Sequence, residues 1–191
     1  EKNRKRLKQK FNEVPITLER NKPYVMTQMS LEGNSFPAKL LIDIGNSDAL
    51  WLFQNLSESI KIPEKNFNDY LGQGFSGDVF GKRGRMDRFS MNGFEFKNPI
   101  VAFPDSSSIK NVKMVSGRLG SVGGEILRRF ILVFDYPNQF LYLKKNKEFN
   151  TPFTYNKSGI EMQHNGLQWV QETVKLETIP SESTAIDKNA I

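Results

Sequence analysis

Residues 40–53 read LLIDIGNSDALWLF: an apolar run delivers one carboxylate into a tight turn and then resumes. Leu40, Leu41 and Ile42 suit a buried strand, and Gly45, Asn46 and Ser47 carry turn chemistry. Gly45 gives the backbone conformational freedom and lets a ligand or a second chain approach closely. Asn46 and Ser47 can hydrogen-bond the amides of the turn. An acid flanked by Ile42 and Ile44 must be desolvated, paired or functional, because burying an isolated carboxylate costs on the order of several kcal/mol. These residues alone leave two readings of Asp43: it satisfies the turn's own amides, or it does chemistry.

Outward from this segment the chain reads as short strands separated by turn signals. YVMTQMSL (24–31) alternates with period two, EGNS (32–35) is a turn, and AKLLIDI (38–44) is the next strand. IPEKNFNDY (62–70) reads as a polar connection and GQGFSGDVFGKRG (72–84) as a Gly-punctuated hairpin. RFSMNGFEFKNPIVAF (88–103) pairs strands around Asn-Gly, a strong hairpin signal. SSSIKNVKMVSGRLGSVGG (106–124) reads as loop, and ILVFDYPNQFLYL (131–143) as two strands around Pro-Asn. Ile126, Leu127 and Phe130 share one side of a short helix near residues 126–130. The expected class is all-β, a closed barrel of short strands with that one helix.

Composition removes most other chemistry. With no Cys, thiol catalysis, disulfides and Cys-based zinc sites are excluded. The single His164, in the polar stretch MQHNG, reads as a surface residue and cannot form a His cluster. The formal charge of +6 is concentrated in EKNRKRLKQK, which carries a net +5, whereas the rest of the chain carries +1. A nucleic-acid reader needs its charge on the folded face that meets phosphate, so this tail reads as a solvated leader or amphipathic entry segment. No apolar run approaches the roughly 18 residues of a membrane span. Gly72, Gly74 and Gly77 fit GxGxxG, but no kinase Lys, HRD or DFG motif accompanies them, and no long amphipathic helix follows. No nucleic acid, metal or cofactor is expected.

Taken in order, three segments resemble the retropepsin-like, pepsin-clan bacterial aspartyl proteases. LLIDIGNSDALWLF is similar to their D-[ST]-G-x-S active-site loop. YLGQGFSGDVFG (70–81) resembles the flap hairpin that closes over substrate. GSVGGEILRRFILVFDYPNQFLYL (120–143) resembles the closing element of an apolar pair and Gly, a short helix, a strand ending in Phe-Asp and a last hairpin. The resemblance implies an aspartic endopeptidase with Asp43 as catalytic carboxylate, Ile44, Gly45, Asn46 and Ser47 as its loop, and Gly72, Gly74, Phe75, Ser76 and Gly77 as flap. The second Gly motif is Val122-Gly123 within Ser121-Val122-Gly123, with Arg118-Leu119-Gly120 an alternative. Asp135 matches a structural Asp of the family, and Asp48 belongs to the loop. With one D-x-G per chain, the second carboxylate is the Asp43 of another copy, in a two-fold homodimer acting on a peptide or protein substrate. Ile44 departs from the family, which carries Thr or Ser there to hydrogen-bond the two loops together. That departure supports an alternative, a weak or inactive relative that binds peptides; a purely structural β domain is a third reading.

The expected organisation is a basic leader over 1–11, the protease-like domain over 12–147, and a linker with a truncated PDZ-like segment over 148–191. SGIEMQHNG (158–166) and IPSESTA (179–185) resemble the first half of a PDZ domain, with residues 158–160 at the edge where a peptide partner would add as a strand. This pairing of modules implies export to the periplasm or envelope. Residue 1 is not Met, so the chain reads as a processed or trimmed product whose leader is not in this sequence.

Overall fold

The computed structural model describes residues 2–74, 77–109 and 115–155. In chain order the elements are α1 (Lys2–Lys10), β1 (Asn12–Pro15), β2 (Thr17–Glu19), β3 (Lys22–Leu31), β4 (Asn34–Ile42), β5 (Leu50–Leu52), β6 (Asn66–Gly74), β7 (Gly77–Arg85), β8 (Arg88–Met91), β9 (Phe94–Lys97), β10 (Ile100–Pro104), α2 (Ser106–Ile109), β11 (Arg118–Val122), α3 (Gly124–Leu127), β12 (Phe130–Asp135) and β13 (Phe140–Lys145). The protein is all-β, with a few short helices. A large sheet runs β6-β7-β10-β5-β11-β4-β3-β8-β9, with β2 on β3, and β1-β13-β12 form a second sheet. Among the described residues the large sheet's ladders trace an open path, and strands from both sheets close over one core. The PDZ-like expectation, residues 158–160 included, lies outside the described residues.

Side-chain periodicity explains the strands. In β3, Val25, Thr27, Met29 and Leu31 are buried while Met26 and Gln28 are exposed. β4 alternates in the same way, then ends with Leu40, Leu41 and Ile42 all buried. The change follows from packing, since Leu40 and Ile42 enter the main core while Leu41 packs with Tyr24 and Val115 in a separate cluster. Three two-residue hairpins have left-handed φ at both central residues: 52° and 60° at Arg20 and Asn21, 49° and 75° at Glu32 and Gly33, 49° and 82° at Asn92 and Gly93. This backbone matches the right-handed twist of the strands it joins.

Four expectations need correction. The stretch 106–124 is not all loop, because it contains α2 and the central strand β11. Two of its glycines, Gly120 and Gly123, mark close approach, not strand breaking: a Cβ on Gly120 would lie 1.9 Å from the Trp51 carbonyl oxygen. Residues 66–70 belong to the edge strand β6, polar because none of their side chains is buried. The short helix spans Gly124–Leu127, and Phe130 enters the core from β12. Residues 146–155 are not a free linker, since Phe149 and Phe153 pack with Phe96, Phe94 and Phe130.

Arg129 holds that last segment. It is 1% exposed, donates through Nε to the Glu125 carbonyl at 2.8 Å and through Nη2 to the Glu125 carboxylate at 2.8 Å. Its Nη1 reaches the carbonyls of Glu148, Phe149 and Thr151, and its guanidinium lies 3.9 Å from the Phe153 ring centroid. A buried cation is tolerable only when its protons are satisfied in this way.

Candidate active site

Asp43 stands where β4 ends and a turn begins. β4 and β5, the strands on either side of that turn, do not pair with each other. Instead β11 lies between them, parallel to β4 (Val122 opposite Ile42) and antiparallel to β5 (Val122 opposite Leu50). The Asp43 amide donates to the Val122 carbonyl at 2.9 Å, which ties the start of the turn to β11. The start of α3 closes it from beneath: the amides of Gly123, Gly124 and Glu125 donate to the carbonyls of Ala49, Asn46 and Asp48 at 3.0, 2.6 and 3.3 Å. Gly123 leaves no room for anything larger, since a Cβ there would lie 2.3 Å from the Asp48 carbonyl oxygen.

The Asp43 side chain is half-buried and accepts from the Gly45 amide at 3.2 Å. No Lys or Arg among the described residues forms an ion pair with it. Asn46 Oδ1 accepts from the Asp48 amide at 2.9 Å, the turn bond its residue type suggests, and Ser47 is exposed. Ile44 is 64% exposed at the tip of the turn. Gly45 does not adopt the left-handed region, and a Cβ on it would meet only Asp43 Oδ1, at 3.5 Å. Within one chain, therefore, neither conformation nor crowding requires this glycine.

The other two acids of this region are committed elsewhere. Asp48 pairs with Arg83, each side chain 13% exposed, and accepts from the Trp51 indole at 2.6 Å. Arg83 also donates to Asp69, so it fastens the turn to the base of the β6–β7 hairpin. Burial would lower the Arg83 pKa, but the adjacent carboxylates of Asp48 and Asp69 outweigh it and the net direction is up. Asp135 caps the turn after β12, accepting from the Asn138 amide at 3.3 Å and its side-chain nitrogen at 2.8 Å.

Strand register shows which residues share a face with Asp43. Side chains directly opposite across paired strands project to the same side. One such row crosses the sheet through Tyr24, Leu41, Ser121, Trp51, Ala102 and Arg83. Asp43 is two residues beyond Leu41 and so lies on the same face. Two small apolar clusters lie along this row: Tyr24, Leu41 and Val115 on one side, and Trp51, Leu71, Val79 and Ala102 on the other. β7 pairs with β10 only through residues 81–85, so residues 77–80 pair with β6 alone and the hairpin projects past the sheet. Gly72 and Gly77 have φ of 122° and 112°, a bulge and turn that favour glycine; Phe75 and Ser76 lie outside the described residues.

The chain is similar to the crystal structure of a retropepsin-like aspartic protease from Rickettsia conorii, with 18% sequence identity, 70% of this chain and 91% of that chain covered, and a TM-score of 0.45. No protein-family model and no curated protein matches the sequence.

Of the residues singled out from sequence, the structure brings Asp43, Ile44, Gly45, Asn46, Ser47, Val122 and Gly123 into one locus. Gly120, of the alternative motif, faces Trp51 instead. Sequence reasoning missed Arg83, and it named Arg118 only as the first residue of the alternative Gly motif. The Asp48–Arg83 pair joins positions 35 residues apart and leaves no local pattern. Among the described residues, no three His, Asp or Glu side chains come together as a metal-binding group.

Proposed function

We propose that this chain supplies one half of an aspartic endopeptidase site, with Asp43 as the reacting carboxylate and the Asp43 of a second copy as its partner. The observation that carries the reading is a carboxylate with no ion pair among the described residues, on a turn pinned by β11 and α3, on the sheet face beside the projecting β6–β7 hairpin. Asp48 and Asp135 are engaged in structural bonds, so neither is offered as the second acid. Like charges about 3 Å apart cannot both ionise, so two such carboxylates share one proton. The ionised one takes a proton from water as its oxygen attacks the peptide carbonyl carbon, and the protonated one donates to the carbonyl oxygen. Collapse of the tetrahedral intermediate breaks the C–N bond and returns a proton to the leaving amine.

Asp43→Asn is expected to abolish hydrolysis of an unstructured protein while the melting temperature stays near that of the parent. Specific activity is expected to rise with protein concentration as monomers pair. An Asn variant that cleaves at the parental rate, or an active species that sediments as a monomer at every dilution, contradicts the reading. The exposed Ile44, in place of a hydroxyl, favours a second reading as a silent peptide binder. In that case neither parent nor variant hydrolyses, and both bind peptide equally.

A further inference from the structure

We propose that Arg118 recognises an acidic side chain of the bound peptide, in a subsite that Tyr24, Leu41 and Val115 floor beside Asp43. The proposal rests on the peptide-cleft reading above and names the substrate class that cleft selects.

Arg118 opens β11, opposite Lys39 of β4, on the same sheet face as Asp43. It is 8% exposed, a depth at which Arg is rarely found without a partner. Its contacts within the chain are few. Nε donates to the Gly120 carbonyl at 2.9 Å, which turns the side chain along the strand toward the Asp43 end, and the guanidinium lies 5.2 Å from the Phe53 ring centroid. Among the described residues no carboxylate lies within ion-pair distance of it. Burial pushes its pKa down, and the fields of Tyr24 and Asp43 offset only part of that. The contrast with three other buried or half-buried cations is informative. Arg83 has two carboxylates, Arg129 has Glu125 and three carbonyls, and Lys39, next in the row, is held by Glu19 and the Ser116 carbonyl. Arg118 alone among these has no carboxylate within ion-pair distance among the described residues, and the fields of Tyr24 and Asp43 offset only part of its burial.

Its neighbours suit a peptide side chain of mixed character. Tyr24, Leu41 and Val115 form a small apolar cluster of their own, separate from the main core. An acidic residue, above all Glu, lays methylenes on such a floor and brings a planar carboxylate to a planar guanidinium, a geometry that Arg meets with paired hydrogen bonds. An amide of the same shape gains no charge pairing.

Two measurements on the full chain test this. In the first, a proteome-derived peptide library is digested and the cut sites are read by mass spectrometry; enrichment of Glu and Asp near the cut is expected. In the second, Asp43→Asn protein is titrated with fluorescein-labelled octapeptide pools, seven positions degenerate and one, scanned along the peptide, fixed as Glu or as Gln. At one position the Glu pool is expected to bind roughly tenfold tighter, the size of one charge-assisted hydrogen bond in a partly dry site. Adding Arg118→Met should erase the difference and Arg118→Lys should retain part of it. Equal affinity for the two pools at every position overturns the proposal without any variant, so a misfolded Met protein does not leave it open. A preference that survives Arg118→Met also overturns it, as does an Arg118→Met loss of affinity that is the same for both pools. Cleavage with no acidic preference defeats the role of Arg118 and leaves the peptidase reading standing. A Glu preference in binding with no cleavage by the parent defeats the peptidase reading and leaves Arg118 standing.

Discussion

Replacing Gly123 by alanine would place a Cβ 2.3 Å from the Asp48 carbonyl oxygen and 2.8 Å from that of Asn46, where ordinary contact begins at 3.4 Å. Both obstacles are backbone, so the turn must give by about 1 Å or the amide ladder from α3 must open. Such overpacking costs about 1–3 kcal/mol, a drop of roughly 3–10 °C in melting temperature for a chain of this size. A displacement of about 1 Å at the reacting group also costs on the order of 10²-fold in rate. Gly45→Ala makes the opposite demand: its Cβ meets only Asp43 Oδ1 at 3.5 Å, and its φ lies outside the left-handed region. Single-chain stability should then change by no more than about 0.5 kcal/mol. If two copies bring their Asp43 turns together, however, the added methyl stands where the partner's turn arrives, and both activity and dimer affinity fall. Thermal melts at dilute concentration, sedimentation, and hydrolysis of an unstructured protein separate the two effects. A Gly123→Ala protein that melts with the parent refutes the steric account of α3. A Gly45→Ala protein with parental dimerisation and turnover refutes the close approach of the two turns.

Ile44→Thr removes a side chain that is 64% exposed in the single chain, so the monomer should lose little, while turnover rises as the hydroxyl joins the two turns; unchanged turnover in a competent parent would mean that apolar packing already orients the pair. Burial would raise the Glu125 pKa, yet hydrogen bonds and charge from Arg128 and Arg129 bring it below the ordinary 4.5, so its contribution is complete above that pH and is lost as pH falls through the lowered folded value. Melting temperature followed from pH 6 to 3 should therefore fall more steeply for the parent than for Glu125→Gln, and equal slopes would count against the pairing. A chain ending at Lys147 strips Arg129 of its Glu148, Phe149 and Thr151 acceptors and should unfold about 3–5 kcal/mol more readily in urea; parental stability would show the segment to be a passive linker.

Local rules placed most of the strands because each is set by its own neighbours. Alternation in YVMTQMSL and the Glu-Gly and Asn-Gly turns needed no tertiary information. The expectation of loop over 106–124 failed at the point where the chain returns to a distant partner. Gly120 reads as a breaker in isolation, and only the arrival of Trp51 against it shows that a central strand needs the missing side chain. Residues 148–155 failed for a related reason: polar and Pro-containing, they read as linker, yet Arg129 sits buried and their carbonyls are what it needs.

The candidate site divides along the same line. LLIDIGNS declares a carboxylate on a strand-ending turn, since the signal lies within eight consecutive residues. The residues that restrain the turn lie far off in sequence: Val122 and Gly123 some 80 positions on, and Arg83 in the hairpin. Arg118 was legible only as a neighbour of the alternative Gly motif, because a strand-opening Arg beside a turn reads as surface until its burial is known. Once burial is known, the same electrostatic argument applies to both groups. Among the described residues neither Asp43 nor Arg118 forms an ion pair, although the Asp43 charge acts on Arg118 from beyond ion-pair distance. A chain that needed only to fold would gain by joining them or by replacing Arg118 with an apolar side chain, since either change reduces the cost of burying Arg118. Keeping them apart on one sheet face is reasonable if each awaits something that arrives from outside: a second carboxylate and a water for Asp43, an acidic side chain for Arg118.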